Sequence, residues 1–260
     1  MVVVKRSRQV KRVVQSVAGI LTGRLAGRMS IPTTLDYKMP ADVPVLPTGL
    51  RPLDRALGLG GLPYGRITEL IGQTTVSLSG GTTSIAARIA SRAQRKQQIV
   101  SIIDMSRSFD PWLAERAGLI APQLLLTRPD TVFAALSTME SAASREGLIV
   151  VAMGIINELL AQADIEALKT LSSRVRRIVK QSSSVFLFIS LLHTNDPFDP
   201  AHYPAGFPLA NLADIRLWVQ DEAWTHKEGV AASYKANVTV IKNELAVAGV
   251  GADIKIRFSS

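Results

Sequence analysis

The residues with the clearest chemical potential form a Gly-, Ser- and Thr-rich stretch that runs from Gly72 to Ser84. It follows a strand-like segment and precedes a helix-like one, an arrangement that binds phosphate through loop amides and a helix N-terminus. A phosphate-binding loop reads Gly, four residues, Gly-Lys and then Ser or Thr. Here seven residues separate Gly72 from Gly80, and Gly81 stands where the lysine belongs. The stretch therefore predicts a degenerate phosphate loop, with ATP and Mg²⁺ held weakly if at all, built from Gly72, Gly80, Gly81, Thr82 and Thr83.

The overall composition bounds the partners. The 260-residue chain is 47% hydrophobic and carries a formal net charge of +9, a globular composition whose positive surplus favours a polyanion such as single-stranded DNA. A solvated basic surface without a specific partner is the alternative. There is no cysteine, so disulfides and thiolate metal sites are excluded and a reducing cytoplasm suits the chain. His193, His202 and His226 lack metal-ligand spacing, and the longest apolar run is too short to cross a membrane.

Positive charge is concentrated in two helix-like segments. No acidic residue precedes Asp36, and apolar spacing predicts a basic amphipathic helix over residues 1–30. That helix could dock on a neighbouring subunit, lie against DNA or pack on its own domain. The second segment, residues 165–180, combines an apolar face with a basic one that could follow a phosphate backbone, although such faces are commonly just solvated. The predicted DNA-contacting cations are Lys5, Arg8, Lys11 and Arg12 in the first segment and Lys169, Arg174, Arg176, Arg177 and Lys180 in the second.

The elements that must position these residues follow from periodicity. A Pro-rich linker over 31–47 separates the N-terminal helix from a core domain over 48–260. Buried strands alternate with helices, which favours an α/β core whose parallel sheet is covered on both faces. The last three segments alternate apolar and polar residues and predict antiparallel strands at the C-terminal end. Predicted strands are 66–71, 98–104, 148–153, 185–191, 215–220, 236–243 and 252–258, and predicted helices are 83–95, 111–117, 131–143 and 165–180.

One segment also carries a family resemblance. Residues 47–72, PTGLRPLDRALGLGGLPYGRITELIG, resemble the entry to the ATPase core of the bacterial RecA recombinase family. Ile103-Asp104, Phe109-Asp110-Pro111, the stretches 114–119 and 124–131, and Val240-Ile241-Lys242-Asn243 match further family stretches in the same order. The resemblance spans about residues 47–258. It implies a RecA-like P-loop NTPase core, a mostly parallel sheet flanked by helices, scaffold roles for Asp104 and Asp110, and no C-terminal domain.

Several functional positions of that family differ in this sequence. The resemblance puts Gly81 at the P-loop lysine, Ala152 at the Mg²⁺-binding aspartate and Leu191 at the glutamine that senses the γ-phosphate. Of two lysines that act across a subunit interface, Lys242 remains and Glu244 stands at the other. Without the lysine and the carboxylate, no residue neutralises a triphosphate–Mg²⁺ group, so a pseudo-ATPase without catalytic residues is expected.

The resemblance further places two DNA-binding loops near 157–164 and 193–211. Neither loop contains Lys or Arg. Phe198, Tyr203 and Phe207 of the second loop could stack on bases, at about 1–3 kcal/mol per ring if they do. The alternative is that these rings pack the loop against the domain or a partner.

Family likeness and basic charge together imply a RecA-like accessory protein in DNA repair and recombination that does not hydrolyse ATP. A degenerate RecA core is similar to the accessory protein of translesion synthesis, which belongs to the SOS response of bacteria. The expected partners are single-stranded DNA, a RecA-type filament or a translesion polymerase, and a second copy through the N-terminal helix. The alternatives are a nucleotide-dependent recombinase with a variant P-loop and a regulator that binds only protein.

Overall fold

The computed structural model describes residues 43–74, 80–161, 163–193 and 196–259. All of them belong to the second of the two units into which the chain divides, Met39–Ser260. The predicted N-terminal helix with Lys5, Arg8, Lys11 and Arg12 lies outside the described residues, as does most of the predicted linker. Residues 75–79 of the Gly- and Thr-rich loop also lie outside them.

A large mixed sheet and a small two-stranded one organise the described residues. The strands are β1 (Val45–Leu46), β2 (Leu62–Pro63), β3 (Ile67–Gln73), β4 (Ile99–Asp104), β5 (Leu124–Thr127), β6 (Gly147–Ile155), β7 (Val185–Leu192), β8 (Ile215–Lys227), β9 (Val230–Asn243) and β10 (Gly251–Arg257). The eight-stranded sheet has the order β10-β9-β8-β3-β7-β6-β4-β5. Strands β3 to β8 run parallel to one another, and β9 and β10 continue the sheet in antiparallel fashion. Every residue of β7 is buried, as expected for a central parallel strand covered on both faces.

Helices cover both faces of the large sheet. They are α1 (Arg51–Ala56), α2 (Gly81–Arg95), α3 (Pro111–Arg116), α4 (Val132–Ala143), α5 (Ile156–Leu160), α6 (Ile165–Lys180) and α7 (Leu209–Leu212). Ile85 and Ile89 of α2 belong to an apolar cluster on one face, together with residues of α1 and α3. Leu136 of α4 and Leu168 of α6 belong to a second cluster on the other face, with residues of α5 and α7. The predicted α/β class with a parallel sheet between helical layers is confirmed.

Helix α6 illustrates how closely periodicity predicts burial. Its bounds are those predicted, and Asp164 begins it by accepting a hydrogen bond from Ala167 N at 2.7 Å. The apolar residues spaced along one side are buried against the sheet: Leu168, Leu171, Val175, Ile178 and Val179. Ile165, which was expected on the same face, is 53% exposed. The apolar face therefore begins one turn later than predicted.

Strands β8 and β9 form a long hairpin that extends past the carboxyl end of the neighbouring strand β3. Its turn residues Glu228 and Gly229 have φ values of +52° and +79°, as a two-residue type I′ turn requires. Both strands extend beyond the predicted 215–220 and 236–243. In β10, Ile254 and Ile256 are buried while Lys255 is exposed, so the predicted alternation is confirmed.

Candidate functional site

The N-terminus of α2 stands beyond the carboxyl end of β3, where open α/β sheets bind ligands. Gly80 caps the helix with a φ of +83°, and Gly72 lies inside β3, paired in register with Leu191. The Thr83 hydroxyl donates to Gly80 O at 2.9 Å, and the side chains of Thr82 and Thr83 are buried. Of the predicted phosphate-loop residues, the structure brings Gly80 to Thr83 together, while Gly72 belongs to the preceding strand.

Gly81 is pressed against the β8–β9 hairpin. A β-carbon built on Gly81 would overlap with Glu222 Oε2 and would lie 2.7 Å from Tyr234 Oη and 2.9 Å from Tyr234 Cε2. Tyr234 is fully buried and donates from its hydroxyl to Glu222 Oε2 at 2.7 Å. Burial, followed by the negative charge of Glu222, raises the pKa of Tyr234 above its usual value. The space that a side chain at position 81, the predicted lysine position, would require is thus filled by a carboxylate and a phenol from the hairpin.

A buried carboxylate, Asp104, lies at the end of the neighbouring strand β4, and its acceptor capacity is already used, in part by Ser106 Oγ at 3.1 Å. Asp104 accepts hydrogen bonds from Ser108 N at 3.1 Å, Phe109 N at 3.2 Å and Arg128 Nε at 3.2 Å. Its register partner on β6 is Ala152, which carries no ligand atom in its side chain. These contacts give Asp104 the scaffold role that was predicted for it.

Two small cavities adjoin the start of α2. The larger, of about 180 Å³, lies between α2 and α3 and is lined by Gly80, Thr83, Ser84, Ala87, Ser108, Phe109, Asp110, Leu113 and Ala114. Asp110 begins α3 by accepting from Trp112 N at 2.9 Å and Leu113 N at 3.3 Å, in keeping with its predicted scaffold role. The smaller, of about 60 Å³, is lined by Gly80, Thr82, Thr83, Ser106, Ser108, Gly154, Ile189 and Leu191. The described residues that line either cavity include no Lys or Arg.

The predicted basic face of α6 is partly neutralised within the domain. Glu140 of α4 accepts from Arg174 Nη2 at 2.6 Å and from Arg177 Nη2 at 3.1 Å, and these contacts lower its pKa. Lys169 pairs with Glu166 at 2.7 Å. Arg176 and Lys180 are exposed, and within the described part of the chain neither makes an ion pair. Among the residues that the structure describes, the other three predicted cations on α6 have an acidic partner and these two do not.

The three aromatic rings of the second predicted DNA loop differ in exposure. Phe198 is 64% exposed, whereas Tyr203 and Phe207 are buried in the domain. Tyr203 donates to Glu69 Oε1 at 2.8 Å and accepts from Arg216 Nη2 at 2.5 Å. For Tyr203 and Phe207 the structure favours the packing alternative, because neither ring offers a face to a base.

This buried ionic cluster, formed by Glu69, Arg216 and Tyr203, was not predicted. Glu69 on β3 and Arg216 on β8 pair at 2.8 Å with almost no exposure, and Arg216 Nη2 also donates to Pro197 O at 3.0 Å. The cluster therefore fastens Pro197 and Tyr203 of the second predicted DNA loop to the centre of the sheet. A lone glutamate within the apolar strand RITELI was a signal that a buried partner exists.

Lys242, predicted at a subunit interface, is satisfied within its own chain. Its Nζ donates to Ala213 O at 2.6 Å and to Ala210 O at 3.3 Å, and it lies 2.9 Å from Glu244 Oε1. These carbonyls belong to the end of α7, where a cation is favourable. The interface role of Lys242 stays a prediction.

Comparison with known proteins identifies the family of the chain. A family model described as the RecA N-terminal domain matches residues 22–260. The chain belongs to the RecA family. Protein RecA of Thermus thermophilus is 31% identical over 233 residues, covering 83% of this chain and 67% of the relative. The corresponding protein of Methylococcus capsulatus is 27% identical over 248 residues, covering 89% of this chain and 70% of the relative.

Solved structures extend the likeness to the RecA-like fold. The crystal structure of the RadB recombinase aligns with a TM-score of 0.60 and 18% identity, covering 80% of this chain and 94% of that one. At that identity the likeness concerns the fold alone. The predicted RecA resemblance is confirmed by the family match. In the described ranges, every helix falls short of the length and apolarity that a membrane crossing demands.

Proposed function

We propose that this RecA-family protein is an accessory factor in DNA repair and recombination that does not hydrolyse ATP. The observation that carries the proposal is the contact at Gly81. A lysine at that position would hold the β- and γ-phosphates of a nucleotide as a point charge. Glu222 and Tyr234 occupy the space into which any side chain at position 81 would project. A carboxylate there also repels a polyphosphate, because like charges disfavour each other at short range.

The other groups around α2 do not fit a Mg²⁺–triphosphate either. Ala152 cannot ligate a cation, and Asp104 is occupied by two backbone amides and Arg128. The larger cavity, at about 180 Å³, is smaller than the roughly 300–1,000 Å³ of ordinary small-molecule sites. No catalytic step through a bound nucleotide is therefore assigned to this domain.

The proposed activity is binding of single-stranded DNA together with a RecA-type filament or a translesion polymerase, in the cytoplasm. The net charge of +9 supports the DNA contact, and so do Arg176 and Lys180 on α6, which are exposed and make no ion pair within the described residues. The basic sequence of residues 1–30 supports a contact with DNA, a partner or a second copy. The proposal includes a role in the SOS response and in translesion synthesis, because a degenerate RecA core is similar to the accessory protein of translesion synthesis.

The test measures the release of phosphate from ATP by the full chain in the presence of Mg²⁺, with and without single-stranded DNA. We expect no release above a protein-free blank, and no stimulation by DNA. DNA-stimulated release that is lost in Thr83→Ala, with the folded state checked by circular dichroism, would overturn the proposal. A RecA protein measured in parallel establishes that the DNA and the assay are active.

The hydroxyl-bearing residues Thr82 and Thr83 at the start of α2 support one alternative, a nucleotide-binding protein with a variant loop. Calorimetric titration with ATP separates the two functions. Tight binding that is weakened by Thr82→Val or Thr83→Val supports the alternative, whereas the proposed function predicts no saturable heat. Retention of the protein on single-stranded DNA coated with RecA, compared with bare DNA, tests the filament as a partner.

A further inference from the structure

The outer face of α2 carries a row of arginines that the sequence patterns did not single out. Arg88, Arg92 and Arg95 recur at helical spacing, while Ile85 and Ile89 on the other side are buried against the sheet. The helix contains no acidic residue over its whole length. A rise of 1.5 Å per residue puts the three arginines about 6 Å and about 4.5 Å apart along the helix axis.

Two of these arginines converge over Gly118, in the turn after α3. A β-carbon built on Gly118 would lie 3.4 Å from Arg88 Nη1 and 3.4 Å from Arg95 Nη2. The two guanidinium nitrogens are therefore separated by no more than twice that distance. Gly118 has a φ of +99°, and its lack of a side chain avoids close contacts at 3.2–3.4 Å with Ser91 Oγ and with both guanidinium groups.

The turn under the two guanidinium groups is fixed to α2 by several hydrogen bonds. Arg88 Nη1 donates to Ala117 O at 3.2 Å, and Ser91 Oγ donates to Gly118 O at 2.6 Å. Gln94 exchanges two bonds with the backbone of Ile120, at 2.9 Å and 2.8 Å. The arrangement is thus built into the fold, because these bonds hold the helix and the turn in register.

The positive charge of the pair is not compensated within the described residues. There, none of Arg88, Arg92 and Arg95 has a carboxylate within ion-pair distance, in contrast to the arginines of α6 that meet Glu140. Burial, and then the like charge of Arg95, lower the pKa of Arg88 below its usual value. An anion that binds between the two guanidinium groups relieves their mutual repulsion.

We propose that Arg88 and Arg95, with Arg92 beside them, bind the phosphates of a DNA backbone. Guanidinium groups pair with phosphate oxygens in a bidentate fork, and two of them aimed at one space suit a phosphodiester. The inference deepens the proposed function, since DNA is the ligand in both. It assigns the contact to a face that the sequence did not predict, because α2 and α6 cover opposite faces of the sheet.

A nucleic-acid backbone fits this surface better than an acidic peptide does. Arg88 and Arg95 converge on one space, where the two free oxygens of a single phosphodiester can accept from both guanidinium groups. Arg92 lies between them along the helix axis and adds positive charge beside that phosphate. Contacts of this kind position a backbone without reading its sequence. The expected binding is therefore independent of sequence and steeply dependent on salt.

The experiment measures binding of fluorescently labelled single-stranded and duplex DNA to the full chain over a series of salt concentrations. The test variants are Arg95→Gln, whose side chain makes no hydrogen bond in the described residues, and Arg88→Gln/Arg95→Gln. The matched control is Lys255→Gln, which also removes one exposed charge but from the other face of the sheet. A third variant, Arg176→Gln/Lys180→Gln, reports on α6.

Each lost phosphate contact is expected to reduce the magnitude of the negative slope of log binding constant against log salt concentration, by about 0.7 on single strands and about 0.9 on duplex. The double variant should weaken binding several-fold for all sequences alike, and Lys255→Gln should change it less. Equal losses in Arg95→Gln and Lys255→Gln would overturn the inference, because net charge alone would then explain them. Polyglutamate serves as an acidic-peptide competitor. If it displaces DNA equally well from wild type and from the double variant, the arginines do not bind the peptide and the inference is supported. If it binds wild type but not the double variant, the surface is assigned to an acidic peptide instead.

The outcomes also separate this inference from the proposed function. If wild type fails to bind DNA at all, the proposed DNA contact and the inference both fail. If wild type binds, the α6 variant is weakened and Arg88→Gln/Arg95→Gln is not, the proposed function stands and the inference alone is refuted. Circular dichroism and urea unfolding of each variant exclude loss of fold as the cause, and Arg95→Gln remains informative if the double variant is unstable.

Discussion

Replacing Arg216 by methionine removes the positive member of the buried cluster and leaves its partners in place. Methionine keeps much of the side-chain length without the charge. Glu69 then loses the Nε donor at 2.8 Å, Tyr203 loses the Nη2 contact at 2.5 Å, and the carbonyl of Pro197 loses its donor at 3.0 Å. Glu69 is fully buried, so water does not replace the lost hydrogen bonds.

The expected loss of stability follows from the uncompensated charge. Breaking a buried ion pair by removing one partner costs about 3–5 kcal/mol, because the remaining charge stays desolvated. That is a large part of the roughly 5–15 kcal/mol by which a domain is stable. Adding Glu69→Leu to Arg216→Met removes the orphaned carboxylate, so we expect the double variant to be more stable than Arg216→Met alone.

Urea unfolding followed by circular dichroism measures these differences, with Lys255→Gln as an exposed control that should lie within about 0.5 kcal/mol of wild type. Limited proteolysis adds a local readout. Because Arg216 and Tyr203 fasten the loop after residue 196, Arg216→Met should be cut there faster than wild type. A loss below about 1 kcal/mol, the size of an ordinary substitution, would refute the reasoning. So would a double variant less stable than Arg216→Met.

Three further predictions concern the same domain. Gly81→Ala should lower the free energy of unfolding of the domain by about 1–3 kcal/mol in urea, because the new β-carbon overlaps with Glu222. Adding Glu222→Ala should recover part of that loss. If the effects of the two substitutions on stability simply add, the contact between residues 81 and 222 is contradicted. Because hydrogen bonding to Arg174 and then the arginine charges lower the pKa of Glu140 below 4.5, this ion pair stabilises the fold above that pH and is lost as the pH falls. Glu140→Gln should therefore lower the urea midpoint slightly near pH 7, less at high salt, and not at about pH 3; a loss of equal size in acid would argue against it. Because the pKa of Tyr234 is raised in the folded state, the contribution of its hydroxyl to the free energy of unfolding is complete below the unfolded pKa of 10.0 and declines above it. Between about pH 9 and about pH 11, Tyr234→Phe should therefore lose less stability than wild type. Equal losses of stability with pH in the two proteins would refute the raised pKa.

Much of the fold could be predicted because periodicity reports burial directly. The bounds of α6 agree with the predicted ones, and those of β7 differ by one residue. Strand β8 was predicted to end at residue 220 because the following residues are mostly polar, and no apolar period marks a strand that is held only by its hairpin partner. Strand β5 was not predicted, because it has four residues at the sheet edge and half of them face solvent.

The candidate site was harder to predict because its contacts join distant residues. Gly81 could be recognised as an unusual residue in the phosphate loop, yet its contact with Glu222 spans 141 positions and leaves no local pattern. The arginines of α2 had the right spacing to be noticed. Their convergence, however, depends on Gly118, which lies on another element. Tyr203 and Phe207 were weighed as base-stacking rings because composition cannot distinguish a buried loop aromatic from an exposed one.

The contact at Gly81 also restricts the route by which descendants of this protein could acquire a lysine there. Gly81→Lys alone would have to displace Glu222 and Tyr234 from the space that its own side chain requires. Glu222→Ala alone would leave the buried hydroxyl of Tyr234 without its acceptor. Each single substitution gives a less stable protein, so selection against unstable intermediates opposes the acquisition of a lysine at position 81. The hairpin therefore favours retention of glycine, because a lysine becomes acceptable only when Glu222 and Tyr234 change together with it.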